Sequence, residues 1–171
     1  MIIAQQQPPP RGSSHDRLIA TENAWRAVGW FGLLLAFVGL ADIVMVWYPM
    51  AFGNPTWEFG AVDMSFASLP LLTMGLAALL ASAFARGTLM RLSFIGGFML
   101  LLGLTLLGTY LVFYGLNIPL AIKATPPELK TAIWKTIAKT TTLGILFPAA
   151  YLAAGVAALR NAITLREKGR A

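Results

Sequence analysis

Cysteine is absent from the 171 residues, and histidine occurs once, as His15 in a polar N-terminal stretch. Without thiols there is no disulfide, no iron–sulfur ligation and no thiol nucleophile. A single imidazole cannot supply a bis-histidine haem or a histidine-rich metal site within one chain. Charge is scarce as well: Asp, Glu, Lys and Arg make up 12% of the sequence, against about 25% in soluble domains. No Ser/His/Asp set, phosphate-cradling Gly loop, paired catalytic acids or metal motif is present, so no enzymatic activity is expected. Side chains predict no cofactor, whereas a surface-bound lipid or pigment needs no side-chain ligand and stays open.

What fills the sequence instead is apolar. Hydrophobic residues account for 57% and the mean hydropathy is +0.70, with several runs long enough to cross a bilayer. The expected fold is therefore an all-α integral membrane protein, a four-transmembrane-helix bundle. The net charge of +6 does not point to nucleic acid, because the basic residues sit at the ends of apolar runs, where membrane topology uses them.

Residues 1–20 read as an extended tail. Pro8, Pro9 and Pro10 favour polyproline geometry, which has no internal hydrogen bonds and suits lying along a partner protein. Thr21 and Glu22 then read as a helix start. Spans are expected at about 27–48, 65–85, 92–116 and 132–160, followed by a basic tail over 161–171. In the first span Gly32 and Gly39 share a face. In the second, Gly75, Ala78 and Ser82 form a ridge of small residues that admits a close neighbour. The third repeats the pattern with Gly96 and Gly103, and with Gly108 and Gly115. The fourth starts at Thr125-Pro126-Pro127-Glu128, with Thr125 as cap and Pro126 at the first helical position. Pro148 lies inside this last span, where a kink is expected. The pairs Ala149-Ala150, Ala153-Ala154 and Ala157-Ala158 read as a packing ridge.

Orientation follows from Lys and Arg. Arg11, Arg17, Arg26, Arg86, Arg91, Arg160, Arg166, Lys168 and Arg170 fall on one side of four spans. The other side has Lys123, Lys130, Lys135 and Lys139. The positive-inside rule then places both termini in the cytoplasm of a bacterial-type inner membrane.

Asp42 is the one acid assigned to a span. An acid at such depth faces protein, a partner charge or water, and its candidate partners are Lys139 and, one turn away, Lys135. The pairing reads as a structural ion pair or, alternatively, as an ion or proton site. Thr140, Thr141 and Thr142 can satisfy their hydroxyls on their own helix. Trp57, Phe59 and Lys130 are candidate contacts for a partner or for lipid headgroups, as are Pro8, Pro9 and Pro10 for a partner. By elimination, the expected role is a non-catalytic accessory subunit of a respiratory or photosynthetic type of membrane complex, with membrane lipids and other membrane subunits as partners. The alternative is a small homo-oligomeric transporter or channel using Asp42 with Lys135 and Lys139.

Overall fold

A computed structural model of the chain describes residues 13–124 and 126–168. The described residues are helical apart from short connections, and four helices are long and apolar enough to cross a membrane. Helix α1 spans Ser13–Val46, α2 Pro55–Ala85, α3 Leu89–Val112, α4 Ile118–Ala124 and α5 Lys130–Lys168. The tail prolines Pro8, Pro9 and Pro10, and the proposed cap Thr125, lie outside the described residues.

Two helices start earlier than their apolar runs. Helix α1 begins at Ser13 rather than at Thr21, because nothing between these residues breaks a helix spreading back from the span. Helix α2 begins at Pro55, well before Ser65, and its start is locally built. The Asn54 Oδ1 accepts from the Trp57 N–H at 3.3 Å, and Pro55 occupies the first helical position, where no N–H is needed. Gly53, at φ 88°, donates its N–H to Glu58 Oε1 at 2.8 Å. Trp47, Phe52 and Trp57 close the loop as a ring triad, with centroids 6.1, 5.7 and 5.6 Å apart. The connection between α1 and α2 is therefore a short braced turn.

The bundle is two antiparallel pairs. Helices α1 and α2 pack along their lengths, as do α3 and α5, and α2 rests on α3 and α5 with its other face. Small residues set both seams. A Cβ built at Gly39 would lie 2.9 Å from the Leu72 Cα, and one at Gly32 would lie 2.9 Å from the Ala78 Cβ. Across the second seam, a Cβ at Gly96 would lie 3.0 Å from the Ala158 Cβ, and one at Gly103 would lie 3.0 Å from the Leu152 side chain. Gly108 and Gly115 differ from the expected pattern: nothing lies within 4 Å of a Cβ at either. The alanine ridge also divides. Ala158 is buried and Ala154 half-buried, whereas Ala149, Ala150, Ala153 and Ala157 face outward. The core runs down α2, through Phe66, Leu69 and Leu72, to Phe113 and Tyr151.

The C-terminal end of α3 does not run straight to a loop. Phe113–Asn117 forms a π turn and the chain continues into α4, where a connector was expected. Pro119 explains the wider turn: its ring crowds the carbonyl four residues back and it has no N–H. The Ile118 N–H instead reaches the Phe113 carbonyl. The start of α5 shifts by one residue from expectation: Pro126 stands extended at ψ 149° and Pro127 opens a 3-10 turn over Pro127–Leu129. At its far end α5 continues past Arg160 to Lys168, because Ala162 is still buried against the bundle. Most of the expected C-terminal tail is thus helix.

The braced turn supports one measurable effect. The Trp47 Nε1 donates to Ser65 Oγ at 2.9 Å, and Ser65 Oγ donates to the Ala61 carbonyl at 2.8 Å. Trp47→Phe keeps a ring in the triad and removes the donor. Its expected effect is a loss of about 1 kcal/mol in unfolding free energy, read by thermal unfolding in detergent.

Candidate functional site

Helix α2 carries a ladder of polar contacts through the bundle. Asp63 lies eight residues into α2, a depth of about 12 Å at 1.5 Å per residue. Its Oδ1 accepts from Thr140 Oγ1 at 2.5 Å and lies 3.9 Å from Lys139 Nζ. Thr140 is fully buried, and the Asp63 side chain is 22% exposed against 54% for Lys139. The carboxylate thus faces the α2/α5 seam while the ammonium reaches toward the rim on its long stem.

Ten residues further along α2, Thr73 Oγ1 donates to the Leu69 carbonyl at 2.8 Å and lies 2.7 Å from Tyr151 Oη. Thr73 has one hydroxyl proton, and the Leu69 carbonyl takes it. The buried Tyr151 is therefore the donor in the pair. At the opposite end, Ser82 Oγ donates to the Trp25 carbonyl at 2.7 Å and ties α2 to α1. Among the described residues no buried side-chain polar atom lacks a partner. Polar groups in hydrocarbon are retained only on such terms.

The pairing of Asp42 with Lys139 is corrected. Asp42 accepts a short hydrogen bond from Ser68 Oγ on α2, and its residue is exposed. Lys139 pairs with Asp63 instead, and Lys135 is exposed without an ion pair. The reason is helix order: α1 rests on α2, and α5 rests on α3 and on the other face of α2. Asp42 and Lys139 belong to different seams.

The expected second span, at about 65–85, leaves Asp63 outside it, whereas α2 begins at Pro55 and includes it. The signal that locates it is the sequence Asn54-Pro55-Thr56-Trp57-Glu58, an N-cap, a first-turn proline and an acid close behind, which starts the helix two turns before Asp63. Thr140 departs from the self-satisfied reading by reaching Asp63, whereas Thr142 follows it by donating to the Ala138 carbonyl at 2.9 Å.

Two proposed partner contacts are internal. Phe59 packs on the buried Phe113, centroids 5.3 Å apart, and Trp57 is half-buried in the ring triad. Lys130 is exposed. Among the described residues no three His, Asp or Glu side chains gather into a group that could hold a metal ion. The ladder can fix helix register through hydrogen bonds and one ion pair. It offers a carboxylate and an ammonium for ion or proton chemistry, and no activated nucleophile. Compared with family models, with characterised proteins and with solved structures, the chain matches none.

Proposed function

We propose that the chain is a non-catalytic accessory subunit of a larger membrane protein complex, held in a cytoplasmic membrane with both termini inside. The supporting observation is the outward face of α3. Gly97, Leu101, Leu104, Gly108 and Leu111 are all exposed on it, spaced alternately four and three residues apart. A Cβ at Gly97 or Gly108 would meet nothing within 4 Å. Glycine in a helix interior costs about 1 kcal/mol relative to alanine, and a face that meets only acyl chains has no use for it. A face that seats another helix does, because the small residues let the backbones approach. The exposed alanines of α5 add a second face of the same kind.

Gly97→Leu with Gly108→Leu should leave the fold intact, since both positions are open, and displace the chain from its assembly. Native gels of gently solubilised membranes read this directly. The wild type should migrate in a large species and the variant as a small one. Migration of the wild type as a small free species refutes the proposal.

A second reading is favoured by Asp63 with Lys139. An acid and a base two turns inside the helices suit a homo-oligomeric transporter, with Asp63 in place of Asp42. In that case Asp63→Asn abolishes flux across proteoliposomes while the protein still folds.

A further inference from the structure

A cavity lies at the other end of the bundle from Asp63. It is an open groove of about 660 Å³ between α1, α2 and the start of α3. Arg26, Arg86 and Arg91 line it together with Trp30, Leu33 and Phe94. Three arginines therefore line one concavity: Arg26 from within α1, Arg86 just past the end of α2 and Arg91 from the first turn of α3. One of them has a carboxylate: Arg26 Nη2 lies 2.7 Å from Glu22 Oε1, an exposed pair one turn apart. Among the described residues neither Arg86 nor Arg91 has a carboxylate within 4.0 Å. Arg86 is half-buried and also lines a smaller groove that Glu22 shares.

Below the arginines the walls are apolar and bare. Trp30 is 73% and Phe94 75% exposed. Ser82, at the floor, already donates to the Trp25 carbonyl and adds no free donor. The groove thus has a cationic rim and a hydrophobic slot leading toward the middle of the spans. We infer that it binds an anionic phospholipid, with the phosphodiester between Arg86 and Arg91 and the start of one acyl chain against Trp30, Leu33 and Phe94.

Each part of that ligand answers a feature of the groove. The planar donor forks of arginine match phosphate oxygens in pairs. A free phosphate would fill the rim and leave the slot open, and a zwitterionic lipid would bring its own cation to two arginines. Basic pockets between membrane helices near the headgroup level are where such lipids are recognised. The lysines at the opposite end behave differently: Lys130 and Lys135 are exposed on one helix and do not line this groove.

The test uses the full chain in detergent, titrated with phosphatidylglycerol, with phosphatidylcholine of the same acyl chains, and with glycerol 3-phosphate, and read by native mass spectrometry. Phosphatidylglycerol should bind at least tenfold more tightly than phosphatidylcholine, and glycerol 3-phosphate should not compete. Arg86→Gln with Arg91→Gln should weaken phosphatidylglycerol about 30-fold, at roughly 1 kcal/mol per basic residue, with far-UV circular dichroism unchanged. Should that double variant unfold, Arg91→Gln alone, at an exposed position, should weaken binding about fivefold on the same scale. Lys130→Gln with Lys135→Gln should leave binding unchanged. Equal binding of the two lipids, competition by glycerol 3-phosphate, or undiminished binding in a folded arginine variant would overturn the assignment.

Discussion

Gly75→Leu should separate α1 from α2 and lower the unfolding free energy by about 3 kcal/mol, at the upper end of overpacking effects. A Cβ at Gly75 would run into the Ala36 backbone nitrogen, with the Ala36 Cα at 2.7 Å and the Gly32 carbonyl oxygen at 2.8 Å. All three obstacles are backbone atoms of a helix, so no rotamer change relieves them and α1 must move as a body. Moving it opens the contacts of Gly32 with Ala78 and of Gly39 with Leu72, and strains the Ser82 hydrogen bond to the Trp25 carbonyl. Gly97→Leu is the matched control. The same side chain enters another helix at a position with nothing within 4 Å, and the expected change is a gain of at most about 1 kcal/mol from better helix propensity. Detergent unfolding followed by circular dichroism compares the two. Equal destabilisation would mean that the α1/α2 seam is not set by close backbone approach.

Asp63→Ala should cost about 2 kcal/mol, and more than Asp42→Ala. Truncating Asp63 leaves the fully buried Thr140 hydroxyl without its acceptor, a penalty of about 1–3 kcal/mol. It also leaves the Lys139 ammonium without its carboxylate. That ion pair adds little, because Lys139 is more than half exposed and the contact is long. Asp63→Asn keeps an acceptor for Thr140 and should fall between wild type and Asp63→Ala. Asp42→Ala removes one contact with Ser68 at an exposed residue, and about 0.5 kcal/mol is expected there. Thermal unfolding in one detergent ranks all three variants. The reverse order, with Asp42→Ala the most damaging, would contradict the seam described for Asp63.

The hydropathy runs and the spacing of small residues made the four long helices readable, because both depend on one helix at a time. Gly32, Gly39, Gly75, Gly96 and Gly103 each meet the neighbour that their spacing anticipates. What depended on the order of helices around the bundle was not readable. A sequence gives the depth of Asp42 and of Lys139, but not the fact that α2 stands between α1 and α5. Local chemistry accounts for the other differences. Asn54, Glu58 and Asp63 lower the hydropathy at the start of α2 and hide a helix that Asn54 and Pro55 begin. Pro119 widens the end of α3 into a π turn where a connector was expected. The arginine groove was legible only in part. Charge counting places Arg26, Arg86 and Arg91 at one end of the bundle, but their convergence on a cavity depends on how α1, α2 and the start of α3 are arranged.

The central claim is that α1, α2, α3 and α5 all cross the membrane, so that the Trp47–Asn54 turn and the end of α5 lie on opposite faces. The absence of cysteine makes this directly measurable with Met50→Cys, at an exposed turn position, and Glu167→Cys, at the exposed end of α5. An impermeant maleimide applied to intact cells should label Met50→Cys and should reach Glu167→Cys only after permeabilisation. Labelling of both positions from the same side would contradict a chain that crosses the bilayer three times between them.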